Sequence, residues 1–214
     1  MNKKKIILIG GGGHCRSCIE VIESTNEFHI AGIVEDVKEK VGGNILGYPI
    51  IGCDNDLPKL RKKYEYAHIT VGQIKSHASR ETLFKLAETL KYSLPSIVAS
   101  SSLVSKYSKI GRGSIIMHQA FINANTVIGE NCIINSKALI EHDCMIGDNC
   151  HISTNAKLNG NVNLGDNCFV GSNSTILNDI NIANNIIVGA NSFVREKISD
   201  QGIYIGSPAK KRLS

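Results

Sequence analysis

The sequence predicts two folds in one chain: an α/β, half-Rossmann-like front over residues 1–98, and an all-β, left-handed parallel β-helix over residues 99–214. Three observations carry this. An aliphatic residue recurs at every sixth place of the second half, small and turn-forming residues keep phase with it, and the chain begins with a strand, a glycine run and a helix in succession.

From Ser102 the chain divides into hexads whose third residue is Val104, Ile110, Ile116, Ile122, Ile128, Ile134, Ile140, Ile146, Ile152, Leu158, Leu164, Val170, Ile176, Ile182, Val188 and Val194, with no insertion. A period of six is neither helical nor alternating. It fits a triangular prism, in which three hexads make a coil and successive coils stack at the sheet spacing of about 4.8 Å. Position one of the hexad is mostly small, and Cys132, Cys144, Cys150 and Cys168 fall there, so four of the seven cysteines are expected as buried packing residues. Gly at position four (Gly111, Gly129, Gly147, Gly165, Gly171, Gly189) and Asn at position six are expected at corners, where positive φ is tolerated.

In the front part, Lys5–Ile9 reads as a buried parallel strand, Gly10 to His14 as a tight turn and Arg16–Ser24 as a helix, a phosphate-cradle pattern. A second strand, Ile30–Val34, runs into Glu35-Asp36, where an acidic side chain can hold a ribose hydroxyl. A third strand over Ala67–Gly72 and a helix over His77–Tyr92 complete the unit. Gly10 and Gly12 fit the dinucleotide fingerprint but its third glycine is Cys15, so a half-size fold suits a mononucleotide such as UDP better than NAD.

Composition narrows the class. With 42% hydrophobic and 20% charged residues the chain is that of a packed globular protein. Its +5 charge is scattered, and with no Trp and 5% aromatics a nucleic-acid surface is not expected. No apolar stretch is long enough for a membrane span, and the start runs into a strand instead of a signal-peptide core, so the expected location is the cytoplasm. Cys15 and Cys18 lack a second pair at zinc spacing, and no metal is expected.

The chemistry is expected at Glu141-His142-Asp143, which places an imidazole and two carboxylates at a corner where Gly or Asn is ordinary. A neutral His can deprotonate an amine or hydroxyl nucleophile, and either Glu141 or Asp143 can orient the ring. Gly160 stacks on His142 one coil later, where a bare amide can hold a thioester oxyanion. His118 falls on another face and reads as structural. His151 falls on another face too, and can join the site only across a subunit interface. Outward apolar residues, Ile115, Ile133, Ile186 and Ile187, make a trimer plausible.

Several runs together resemble a known family: Ile9 to His14, Val34 to Asp36, Val71-Gly72, Ile134 to Cys144, His151-Ile-Ser, Asn159-Gly160 and Ile205 to Lys210. The family is the hexapeptide acyltransferases with a small N-terminal nucleotide-sugar-binding domain, which covers bacillosamine-type sugar N-acetyltransferases and sialic acid O-acetyltransferases. The resemblance implies a homotrimer with active sites at subunit interfaces, His142 as general base, Asp143 as its partner, and Asn135 and His151 lining the acceptor side. It further implies acetyl-CoA as co-substrate, with Gly160, Gly171, Gly189 and Lys210 around it, and a UDP-linked sugar held by Gly10 to Gly13, Glu35, Asp36 and Gly72. Two positions depart from the family pattern, Cys15 for a Gly and Gln73 for an Asn, and both touch the nucleotide pocket. The expected reaction is N-acetylation of a 4-amino group of a UDP-linked amino-deoxy sugar. The alternatives are O-acetylation of sialic acid or a related nonulosonate, a purely structural β-helix trimer, and a carbonic-anhydrase-like metal protein.

Overall fold

The computed structural model describes residues 3–74 and 76–212. They divide between Ser100 and Ser101 into two compact units.

The front unit runs β1 (Lys4–Ile9), α1 (Gly13–Thr25), β2 (Phe28–Glu35), β3 (Asn44–Ile45), β4 (Tyr48–Cys53), α2 (Leu57–Leu60), β5 (Tyr66–Ile69) and α3 (Ala78–Thr89). Its sheet has the order β3-β4-β2-β1-β5. Strands β4, β2, β1 and β5 are parallel, and β3 is an antiparallel edge joined to β4 by a hairpin. Residues Ile6 to Ile9 of β1 are fully buried, as a central parallel strand covered on both faces requires. One face packs Ile7, Ile9 and Ile69 with Leu57, Phe84 and Ala87 in a single core cluster.

The segment between β2 and β5 differs from the sequence reading, which has none of β3, β4 and α2, and so does the end of β5. Strand β4 has no counterpart in the sequence reading; Pro49 and Gly52, residues disfavoured within strands, bracket its two isoleucines. The third strand stops at Ile69 instead of Gly72, and there Arg80, 1% exposed, donates from Nη1 to the Ile69 and Val71 carbonyls at 2.6 and 2.9 Å. A side chain of α3 thus takes over the carbonyls that a longer strand would have paired.

The second unit is a stack of coils. Strand partners lie eighteen residues apart on all three faces, as in Phe121 with Leu139, Val127 with Met145, and Ile133 with His151. The third-position residues from Ile116 to Val194 are buried, each side chain contributing about 1.5–3 kcal/mol relative to exposure. Position six turns every corner in the left-handed region: from Gln119 to Asn191 each such residue has φ between 53° and 61°. Asn and Asp dominate there because their short polar side chains accept that conformation.

The position-four glycines have a different cause from the expected one. They do not adopt positive φ; they leave room for the neighbouring coil. A Cβ on Gly111 would lie 2.4 Å from the Gly129 carbonyl carbon, and one on Gly129 2.4 Å from Asp148 Oδ1. The expected outward isoleucines also need correction. Ile186 occupies an interior position-one column above Cys168, and Ile115 and Ile133 are 0% exposed within the single chain. After Val194 the repeat gives way to a tail in which Gly202–Ile205 adds parallel to Ile186–Val188 and turns back through Lys210–Lys211.

Candidate active site and nucleotide pocket

A cavity of about 670 Å³ opens at the carboxyl ends of the front sheet, a size ordinary for a small-molecule site. Of the glycines expected there, Gly10 and Gly12 line it, as do Glu35 and Asp36. Gly13 instead opens α1, and Gly72 packs against the His14 side chain, whose Cβ and Cγ lie 3.4 and 3.7 Å from where a Gly72 Cβ would be. Gly12 caps α1 with no side-chain partner, so the amides of the first turn have no side-chain cap and are suited to an anion. Gly11 is fixed by contact, since a Cβ there would meet the Glu35 carboxylate at 2.2 Å.

The sequence reading missed Lys40, Asp54, Ser79 and Thr82 among the lining residues. Lys40 Nζ sits 3.3 Å from Glu35 Oε2, and Glu35 is buried while Asp36 is exposed. Burial, and then the nearby Asp36 and Glu35 charges, push the Asp54 carboxyl above its ordinary value. The signal that would have found Asp54 is its place immediately after β4, the strand hidden by Pro49 and Gly52.

In the β-helix, Glu141-His142-Asp143 occupies positions four to six of its hexad. Asp143 is the left-handed corner residue, with φ 61°. That conformation turns its carboxylate back on the preceding ring: His142 Nδ1 lies 2.7 Å from Asp143 Oδ2. Asn125, one coil earlier, donates from Nδ2 to Asp143 Oδ1 at 2.7 Å. The Asn125 hydrogen bond and the His142 contact hold the Asp143 carboxyl below the usual carboxylate range. Glu141 is engaged elsewhere, accepting from Asn123 Nδ2 at 2.6 Å, so of the two carboxylates Asp143 is the one that meets the imidazole.

Gly160 lies against the face of this imidazole. A Cβ there would stand 2.7 Å from His142 Cε1 and 2.8 Å from Nε2. The Gly160 carbonyl accepts from Asp179, but its N–H has no acceptor among the described residues. The ring is half exposed, with Nε2 the free nitrogen. Cys144, next in sequence, is 0% exposed, donates to the Asn159 carbonyl, and burial pushes its thiol up to about 11. It is not a candidate nucleophile.

Asn135 and His151 bond each other at 3.2 Å, with His151 6% exposed and edge-on to Phe169. They belong to a different prism face from His142, and a single chain does not bring them together with it. His118 bonds Ser101 at 2.7 Å. Gly171 and Gly189 both have packing causes, under Ala190 and Ile205 respectively. Lys210 lines a small groove of about 150 Å³ with Arg195, Lys197 and Tyr204. Among the described residues no group of His, Cys, Asp and Glu is placed to hold a metal, and no helix is long and apolar enough to cross a membrane.

Residues 5–85 match the PglD N-terminal domain, 107–142 and 125–160 the bacterial transferase hexapeptide of six repeats, and 161–196 the hexapeptide repeat of succinyl-transferase. No curated protein matches by sequence. Among solved structures, PerB from Caulobacter crescentus in complex with CoA and GDP-perosamine is 31% identical, with TM-score 0.91 and 97% of each chain covered. A His-to-Asn variant of perosamine N-acetyltransferase from the same organism, also with CoA and GDP-perosamine, is 30% identical over 98% of this chain and 97% of its own, with TM-score 0.91. The acetyltransferase domain of PglB from Neisseria gonorrhoeae FA1090 in complex with acetyl coenzyme A is 26% identical, with TM-score 0.89, covering 99% of this chain and 100% of that one. Repeat, front unit and full-length likeness agree: the chain belongs to the hexapeptide-repeat sugar acyltransferases that carry a PglD-type N-terminal domain, and it is an acyltransferase.

Proposed function

We propose that the protein transfers the acetyl group of acetyl-CoA to the 4-amino group of a nucleotide-linked amino-deoxy sugar. The observation that carries the proposal is the His142–Asp143 pair packed against Gly160, whose N–H has no acceptor among the described residues. In this mechanism His142 Nε2 takes a proton from the attacking amine as its nitrogen adds to the thioester carbon. The Gly160 N–H stabilises the oxyanion, the C–S bond breaks as the amide forms, and the imidazolium returns its proton to the departing thiolate. Asp143 holds the tautomer that leaves Nε2 unprotonated.

The relatives solved with CoA or acetyl coenzyme A support the donor, and those solved with GDP-perosamine support a nucleotide-linked amino sugar as acceptor. Gly10, Gly12 and Gly13 with the start of α1 take the diphosphate, Asp36 and Glu35 the ribose, and Gly72 keeps His14 in place behind the loop. Gly171, Gly189 and Lys210 follow the path of the CoA. The functional unit is a homotrimer in the cytoplasm. Its support in this chain is an apolar strip that stacks exposed Leu103 on Phe121 and Leu139, on the face that leads into the His142 corner. Asn135 and His151 reach the acceptor from a neighbouring copy.

The test is release of CoA thiol from acetyl-CoA with GDP-perosamine, with UDP-4-amino-4,6-dideoxy-N-acetylglucosamine, and with free or CMP-linked sialic acid, using wild type and His142→Ala. Rapid release with an amino sugar, lost in the variant, is the expected result. Release with sialic acid alone moves the reaction to a hydroxyl, and equal rates in the two proteins remove His142 from the mechanism.

A further inference from the structure

We infer that Asp54 reads the nucleobase and selects guanine over uracil. The inference rests on the nucleotide reading of the front pocket given above.

Moving outward from β1 through β2 to β4, three carboxyl ends present in turn the Gly10–Gly12 turn, Glu35-Asp36, and Asp54. A nucleotide whose phosphates lie at the glycine turn and whose ribose lies at the acidic end of β2 carries its base onward to the end of β4. Asp54 lines the cavity there, half-buried. Its neighbours are accounted for: the Asp56 carboxylate accepts the Cys53 amide at 2.9 Å, and Glu35 is beside Lys40. The Asp54 carboxylate has no hydrogen-bond donor among the described residues, although it stands close enough to Asp36 and Glu35 for their charges to act on it.

An ionised carboxylate offers two acceptors side by side and no donor. Guanine alone among the common bases presents two adjacent parallel donors, N1–H and the 2-amino group, and so makes a bidentate, charge-assisted pair with it. Uracil presents one N–H flanked by two carbonyl oxygens, which a carboxylate repels. Adenine and cytosine each place one acceptor beside their amino donor. A site built around such a carboxylate discriminates by what it leaves unpaired or opposed as much as by what it binds.

The test is calorimetric titration of the full chain with GDP, inosine diphosphate and UDP, for wild type, Asp54→Asn and Asp36→Ala, each checked for an unchanged melting curve. In wild type GDP binds at least about tenfold more tightly than UDP, with inosine diphosphate, which lacks the 2-amino donor, in between. Asp54→Asn brings the GDP-to-UDP ratio to within about threefold, whereas Asp36→Ala weakens all three alike by removing a ribose contact. UDP binding as tightly as GDP to wild type overturns the inference, and so does a ratio unmoved by Asp54→Asn; neither outcome touches the nucleotide reading of the pocket. Absence of binding by all three removes that reading and this inference with it. Should Asp54→Asn fail to fold, the wild-type series still overturns the inference if UDP binds as tightly as GDP, and Asp54→Ser takes the place of the asparagine variant in the comparison.

Discussion

Replacing Gly160 by alanine tests the acetyl-transfer geometry more sharply than deleting the histidine. The new Cβ would stand 2.7 Å from His142 Cε1 and 2.8 Å from Nε2, against an ordinary carbon contact of about 3.5–4.0 Å. The ring therefore has to retreat by about 1 Å, and its Nδ1 is tied to Asp143 at 2.7 Å. Retreat by rotation breaks that bond, and retreat as a unit carries Nε2 away from the Gly160 amide. A displacement of about 1 Å from a reacting geometry costs about a hundredfold in rate. The expected result is a fall of that size in kcat for CoA release, with the KM for acetyl-CoA changed by less than about threefold and the melting temperature held, since Gly160 has ordinary negative φ and the clash is confined to one half-exposed ring. Full activity in Gly160→Ala would refute the arrangement, because it would mean that the working imidazole does not lie on Gly160. An equal loss of folded protein would instead assign this glycine to the coil stack, as with Gly129.

Asp143→Asn keeps a residue suited to φ 61° but removes the charge that fixes the ring's tautomer, so kcat falls by about a hundredfold without loss of fold, read by thiol release alongside circular dichroism. Gly129→Ala forces a Cβ to 2.4 Å from Asp148 Oδ1 and 2.7 Å from the Gly147 carbonyl carbon, and backbone cannot yield as a side chain can; urea denaturation should show a loss of about 3 kcal/mol. His68, fully buried, has its pKa pushed down to about 3, first by burial and then by the Arg80 and His14 charges. The unfolded chain thus takes a proton near pH 6.5 that the folded chain refuses, and stability that is complete above that pH is lost as pH falls toward 3. Over the roughly 1.5 units from 6.5 to 5, at about 1.4 kcal/mol per unit, the loss is about 2 kcal/mol. Urea melts at pH 7.5 and 5.0 read it, and His68→Phe should remove most of the difference.

The β-helix was legible in the sequence because its repeat holds one residue class to one environment. Sixteen aliphatic third positions admit no other path, and four cysteines took their places in the interior columns by phase alone. Phase does not say why a residue is small, however. The position-four glycines and position-six asparagines both look like turn residues, yet only the second kind adopts positive φ, and the first is set by a backbone one coil away that sequence distance hides. Ile186 misled for the opposite reason. It breaks the small-residue rule of position one, and being large it read as an outer residue, whereas it is fully buried in that column with its amide donating to Cys168 Sγ.

The two sites differ in legibility for the same physical reason. In the repeat, the position-six corners from Gly113 to Asn191 turn left-handed, so Asn, Asp and Gly dominate there for conformational reasons, and a carboxylate there needs no further cause. Position five carries no such requirement, so an imidazole there beside that carboxylate stood out against a regular background. The fold then supplies the hydrogen bond for nothing extra, because the corner that Asp143 has to make is the one that turns its carboxylate toward His142. The front unit has no repeat to depart from. Glu35 and Asp36 could be found because they follow a strand of plain apolar character, but Asp54 follows one bracketed by Pro49 and Gly52, and a functional side chain at a strand's end is only as visible as the strand. That difference also explains why the sequence bore on the transfer chemistry more than on the nucleotide: the base is met at the end of β4, which pairing with β2 and β3 defines and which local sequence does not.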